Sequence, residues 1–401
     1  MLQLAANIPE NALQGRAELY YFMAHLYHQQ VEETKAQEHL QKATTASMDY
    51  VFPHRLEMLP VWYYALKKQP GDARAYYFLG NLWYDRQPQE GINCWHRAVD
   101  LAPDLAIAWR NLGFGYHRHL KQIPQAIQYY EQAIRVNPQD PTYYLELDNL
   151  YAQNNTAPAV RLATMQKNLP LMATHNNLFM HYLHVLVLNG QIDQTINHLN
   201  TYFFTAMEGN EWIHDIHVNA HLLQGLHLVK ANKKKAALNV YLKATEYPAN
   251  QRVGKTSENV RDIQVHYYVG EGYFLNGNKS KAQDYFQRAA TQACGDNEYL
   301  YYQALALEKL GRTSEAQATV ARLAASAEKK LRDGGETDFF SKFGETGNEK
   351  LMLANTHYQL GLARLAQKNA KEAKASFRTA LEWRADHLWA QTMLKSMEQM
   401  K

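Results

Sequence analysis

Histidine is the chemically versatile residue that this chain concentrates. Eight of its 18 histidines fall between His175 and His227. His214, His217 and His221 stand at i, i+3 and i+7 in a helically patterned stretch that begins near Trp212, so three imidazoles share one face and could meet a metal ion. A packing role is the stronger reading. His221 occupies a slot where a large packing residue recurs elsewhere in the chain, and His266 and His357 occupy the same slot. The Cys or carboxylate partners of a good site are not evident nearby. The expectation is therefore no metal and no cofactor, with His214, His217 and His221 as a weak candidate set.

A second group pairs carboxylates with arginines. In YLELDNLY, Asp148 falls on a position where a small residue should contact the neighbouring helix. A buried carboxylate needs a partner, and Arg110 or Arg161 could supply it. Arg55 and Glu57 in HRLEM are candidates for the same polar set, together with Glu146. Such a cluster can mark a ligand site, but a structural ion pair is the more frequent outcome. No phosphate loop, nucleophile elbow or zinc-protease signature occurs. Cys94 in NCWHRA sits beside a packing Trp and reads as buried rather than nucleophilic. Lys233, Lys234 and Lys235 read as a solvated corner. No catalytic residues are expected.

Composition narrows the function classes. The 401 residues are 46% hydrophobic and 20% charged, enough apolar material to fold. A net charge of +3 gives no support to a nucleic-acid or membrane-surface binder. Cys94 and Cys294 are too few and too far apart for a disulfide framework, which fits a reducing, cytoplasmic setting. No apolar run reaches the roughly 18 residues of a membrane span, and the first residues lack the basic start and apolar core of a signal peptide.

The elements that would position these residues repeat. Pro70, Pro103 and Pro138 punctuate AYYFLGNLWY and AWRNLGFGY, each followed by a second helical pattern. A small residue precedes an Ala by 12 positions, and another Ala follows 7 later with a bulky residue between. The sets are Ala24, Ala36, Leu40, Ala43; Gly225, Ala237, Tyr241, Ala244; Gly270, Ala282, Phe286, Ala289; and Gly361, Ala373, Phe377, Ala380. Gly113, Ala126, Tyr130, Ala133 carries one inserted residue, and Gly80, Gly91, Trp95, Ala98 lacks one. Small residues let two helices approach while the bulky one fills the hole beside them, and neither helix can bury its stripe alone. This resembles the tetratricopeptide repeat. Weaker units at 141–170, 176–203 and 297–324, a lone helix over 54–69 and a last helix over 386–399 complete the pattern. The fold expected is all-α: a right-handed superhelical solenoid of tetratricopeptide-like helix hairpins. Its segments are an N-terminal repeat (1–50), an irregular helix (51–70), repeats over 71–205 and 206–326, a loop over 327–350, and a C-terminal repeat with a capping helix (351–401). Phe339, Phe340 and Phe343 in the loop are expected to tuck under it.

The resemblance implies an inner surface lined by the first helix of each hairpin. Counted from Tyr76 and Trp109, its residues include Arg74, Tyr77, Asn81, Tyr84 and Asp85, then Arg110, Phe114, His117 and Arg118. Such a mixture suits an extended peptide: Tyr supplies rigid area, Asn bonds a backbone, Arg pairs with carboxylates. It also suits a sugar.

FPHRLEMLPVW, YYFLGNLWYD, WRNLGFGY, YLELDNLY and EYPANQRVG occur in that order. The series resembles the C-terminal helical part of a bacterial family that joins a β-rich "domain of unknown function 5107" to tetratricopeptide repeats, departing from it at Gln251. The resemblance implies a C-terminal piece or a stand-alone relative. The function expected is a non-catalytic scaffold binding a peptide or protein segment, which includes a β-rich domain of a parent protein. The alternative is an accessory part of a carbohydrate-binding or carbohydrate-active protein, with an oligosaccharide as ligand. No nucleic acid and no membrane is expected as partner.

Overall fold

A computed structural model describes residues 17–48, 51–205, 211–255, 259–333 and 347–399. Among these residues every regular element is helical. The chain divides into two compact units, residues 1–150 and 151–401. In the first lie α1 (Ala17–Gln29), α2 (Glu33–Thr45), α3 (Leu59–Lys68), α4 (Ala73–Tyr84), α5 (Pro88–Leu101), α6 (Ala106–Arg118) and α7 (Ile123–Val136). The helix α8 (Pro141–Gln153) runs to the boundary. The second unit holds α9 (Pro158–Gln166), the short α10 (Leu169–Met172), α11 (Asn176–Leu188), α12 (Ile192–Thr201), α13 (Glu211–Lys230) and α14 (Lys234–Lys243). After these come α15 (Asp262–Leu275), α16 (Lys279–Thr291), α17 (Tyr299–Lys309), α18 (Thr313–Asp333), α19 (Gly347–Ala366), α20 (Ala370–Trp383) and α21 (Leu388–Gln399).

Within each unit, helices pack on their hairpin partner and on the next hairpin, the nearest-neighbour pattern of a solenoid. The close approach comes from the small–large sets. A Cβ placed on Gly113 would fall 2.5 Å from the Tyr130 ring, and one on Gly361 would fall 2.5 Å from the Phe377 ring. Gly80 with Trp95, Gly225 with Tyr241 and Gly270 with Phe286 meet in the same way. The alanines two turns along, such as Ala36, Ala126, Ala282 and Ala373, are buried, so each interface is dry as well as tight. The chain is thus an all-helical solenoid of tetratricopeptide-like hairpins.

Capping explains several boundaries. The Asp72 side chain accepts from the backbone N–H groups of Arg74 and Ala75 and so starts α4. Its other oxygen accepts the Tyr21 hydroxyl at 2.7 Å, tying α1 to the start of α4. Asn278 and Asn369 cap α16 and α20 in the same way.

One expectation changes, and one lies outside the described residues. Residues 327–333 were assigned to a loop but form the last turns of α18. Ala316, Val320, Leu323 and Ala327 recur at helical spacing and are buried, so the apolar stripe continues past the expected end. Phe339, Phe340 and Phe343 lie outside the described residues.

The second unit has a feature that nearest-neighbour stacking does not require. Its beginning bonds to its end. Asn155 Oδ1 accepts from Ala385 N at 2.9 Å, and Asn155 Nδ2 donates to the Glu382 carbonyl. Lys350 Nζ donates to the Gln153 carbonyl at 3.2 Å. Arg161 pairs with Asp386 at 2.9 Å, and both are almost fully buried.

Candidate functional site

The first helices of unit 1 bring a polar and aromatic network together. Asn81 on α4 is its hub: Oδ1 accepts from the Trp95 indole N–H at 2.9 Å and from Asn111 Nδ2 at 2.8 Å. Asn111 Oδ1 in turn accepts from Arg110 at 3.2 Å. The Arg110 guanidinium on α6 forks onto Glu146 of α8 through Nε, at 2.7 Å, and through a terminal nitrogen. Its face covers the Phe114 ring, 5.2 Å from the centroid. The Tyr84 ring packs against Trp95 and Phe114, at 4.9 and 5.6 Å.

Electrostatics follow this geometry. Burial alone would pull the Arg110 guanidinium down, but the Glu146 bonds outweigh it and hold it above its ordinary value. Burial, reinforced by the Glu146 carboxylate, pushes the Tyr130 phenol far up. Arg110 and Glu146 each keep 25% of their side-chain exposure, so the pair sits at the solvent edge. Of the five guanidinium N–H groups of Arg110, the bonds above use three among the described residues.

The other expected groove residues divide. Arg74 reaches back to the Ala46 carbonyl at the end of α2, and Tyr77 is only 8% exposed, so both tie hairpins together. His117 is half-buried, while Arg118 and Asp85 are exposed. Asn111, Trp95 and Tyr130 belong to the network but were not singled out as site residues. The Tyr130 hydroxyl in a slot where Leu or Phe would fill the same hole was the available signal.

The members of the expected polar cluster around Asp148 can be placed one by one. Asp148 is 2% exposed. Arg110 turns to Glu146, and Arg161 pairs with Asp386. Arg55 and Glu57 are exposed on the irregular stretch ahead of α3, where the Arg55 charge acts on Glu18.

The histidine file is real, and its middle member is fully bonded. His214, His217 and His221 are buried on one face of α13, with His217 and His221 rings 4.3 Å apart. His217 Nε2 bonds the Lys243 carbonyl and Nδ1 meets the Gln251 amide, each at 2.9 Å. His221 Nδ1 bonds the His217 carbonyl. His214 stacks on Tyr247 at 3.8 Å. With both His217 nitrogens engaged, the middle member cannot ligate a metal. Among the described residues no group of three His, Cys, Asp or Glu is arranged to hold one. Burial lowers His214 to about 4 and, with His221 beside it, His217 to about 3. Gln251, the departure noted in EYPANQRVG, is the buried partner that fixes His217.

Burial pushes the Cys94 thiol up to about 11, away from nucleophilic use. The three lysines at 233–235 are exposed. No helix among the described residues is long and apolar enough to cross a membrane.

Comparison with known proteins agrees with the repeat pattern. One family model described as "Tetratricopeptide repeat" matches residues 17–49 and 354–387, and a second of the same description matches residues 81–141. Among solved structures, the chain is similar to YrrB, a tetratricopeptide protein with an unusual peptide-binding site, at 15% identity and a TM-score of 0.31, over 57% of this chain and 90% of that one. It is also similar to the human IFIT1 dimer with m7Gppp-AAAA, at 12% identity and a TM-score of 0.32, over 92% of this chain and 90% of that one. A third is Naa15/Naa10 bound to HypK-THB, at 12% identity and a TM-score of 0.33, over 96% of this chain and 66% of that one. Likenesses at this level do not bear on what the chain binds.

Proposed function

We propose that the chain is a non-catalytic interaction scaffold that holds a peptide or protein segment on the first-helix face of unit 1. The observation that carries this reading is the Arg110–Glu146 fork. It is fixed by Asn111 and Phe114, and it lies at the solvent edge. A partner carboxylate or backbone carbonyl can meet the guanidinium without the side chain first being ordered, which lowers the cost of binding. Tyr84, Phe114, His117 and Arg118 extend the same face, while Arg74, Tyr77 and Asn81 support it from behind.

The test is a peptide library selected on the whole chain. Selected peptides should bind Arg110→Lys and Phe114→Ala at least tenfold more weakly, with helical circular dichroism unchanged. Equal binding to both variants would remove unit 1 from the interaction. A narrower form of this reading takes the partner to be a β-rich domain of the same or a neighbouring reading frame, as the resemblance to "domain of unknown function 5107" proteins implies. Co-purification of that domain with the wild-type chain, and its loss with Arg110→Lys, would support that narrower reading.

A further inference from the structure

The first-helix face of unit 2 already has an occupant from its own chain. α21 lies across it. The Trp389 indole N–H donates to Asn219 Oδ1 on α13 at 2.9 Å, and its ring stacks on Tyr268 of α15 with centroids 6.3 Å apart. At the far end of α21, Gln399 Oε1 accepts from Lys230 Nζ of α13 at 2.8 Å. His387, just ahead of α21, packs on Tyr358 of α19 at 4.6 Å. Trp389, Met393 and Met397 stand at i, i+4 and i+8, one apolar stripe that meets the distant α13 and α15 while the helix also packs on its neighbour α20. That is the contact pattern of a helix bound in a groove.

The fit beneath this helix is loose. A cavity of about 560 Å³ remains between α21 and the hairpins. Tyr241, Tyr267, Tyr301 and Leu305 line its floor, and Met393 and Met397 line its roof. Flexible thioethers over a broad aromatic floor leave contacts unmade, and larger side chains on the same stripe would make them. Charge at the last turn of α21 adds a preference: Lys230 donates to Gln399 and Arg378 pairs with Glu398 at 3.3 Å, whereas the cavity lining itself is mixed, with Lys374 and Glu271.

We propose that this face is a docking site for an amphipathic helix of a protein partner, and that α21 holds it as an intramolecular competitor. The partner helix carries an aromatic residue at one end, bulky apolar residues four and eight positions on, and an acidic or amide last turn. It displaces α21 because it fills the space that Met393 and Met397 leave. This goes beyond the unit 1 reading and does not depend on it.

The test uses the whole chain and two labelled peptides: residues 386–399, and the same peptide with Met393→Phe and Met397→Phe. Fluorescence anisotropy should find the second peptide bound at least fivefold more tightly than the first. Trp389→Ala, which releases α21, should tighten both by tenfold or more. Lys230→Ala removes an exposed contact without touching the core and should tighten both by about threefold, which keeps the test decisive if Trp389→Ala fails to fold. Equal peptide affinity for wild type and Lys230→Ala overturns the competitor role. An apolar dye that binds the wild-type cavity and is not displaced by either peptide overturns the helix as occupant, leaving a small-molecule pocket. Failure here with success of the unit 1 library test would leave that first reading intact.

Discussion

Two arginine–carboxylate pairs of the same chemistry do opposite work in this molecule. Arg110 and Glu146 in unit 1 retain 25% exposure each. Arg161 and Asp386 in unit 2 are 2% and 8% exposed, and Arg384 joins them with two bonds of 2.8 Å. The first pair can be approached by a ligand. The second cannot, and it fastens the beginning of unit 2 to its end. In the function proposed above, burial therefore separates a recognition element from a closure element more clearly than residue type does, because desolvation makes the buried pair depend on its own partners.

Acid should separate the two regions most. Burial lowers His214 and His387 to about 4 and His217 to about 3, and lowers His221 as well. In the unfolded chain these groups titrate near 6.5. The contribution from keeping them neutral is complete above that value and is lost as pH falls from 6.5 toward their folded values, because the unfolded chain takes protons that the folded unit refuses. At pH 5 His214, His217 and His387 each cost of order 2 kcal/mol. Asp386 continues the loss lower down. Burial would raise it, but the Arg384 bonds and the Arg384 and Arg161 charges hold it at about 2, so its contribution is kept above about 3.9 and disappears as pH falls through 2. In unit 1 the half-buried His25 and His96 are lowered in the same way. Hydrogen exchange should show residues 211–399 losing protection between pH 7 and 5, ahead of residues 17–148. Loss in both regions at one pH would break the contrast.

Removing the closure pair comes next in size. Arg161→Ala leaves Asp386 buried with Arg384 as its remaining arginine, and should cost about 3 kcal/mol in urea unfolding of unit 2. An effect below about 1 kcal/mol would mean that Arg384 alone satisfies the carboxylate.

The hairpins were legible because their code is local. Gly113 and Tyr130, or Gly361 and Phe377, announce a close crossing through a fixed spacing of tiny and bulky residues. The face carrying Arg110 followed from counting along those helices. The Arg161–Asp386 pair was not legible, since 225 positions separate its members. What brings them together is the bend accumulated over the intervening hairpins, and no single hairpin's residues state that bend. The same reason hid the seat of α21 on α13 and α15. Residues 386–399 read correctly as a helix, but the face that receives it lies more than a hundred residues earlier. Asp148 is buried, as its register predicts, and Arg110, one of the two arginines expected near it, serves Glu146.

The crossings themselves give a test of intermediate size. Gly361→Ala would set a methyl 2.5 Å from the Phe377 ring, and overpacking of that kind costs about 1–3 kcal/mol. Alanine's better helix propensity returns up to about 1 kcal/mol, so the net loss lies near the lower half of that range. Phe377→Leu in the same chain should recover part of it, and a double-mutant cycle with no coupling would deny that the two residues share one hole.

The smallest effect on stability is the most informative for function. Arg110→Lys keeps the charge but loses the fork, the bond to Asn111 and the planar contact with Phe114. Because the pair is half-exposed and screened, thermal unfolding of unit 1 should shift by less than about 1 kcal/mol. Its effect on a selected peptide should be far larger, tenfold or more in affinity, since the rigid donors are what the ligand meets. A variant whose stability and affinity fall together would make Arg110 another closure pair like Arg161. Unchanged stability with lost affinity would confirm that exposure, rather than pairing, divides the two.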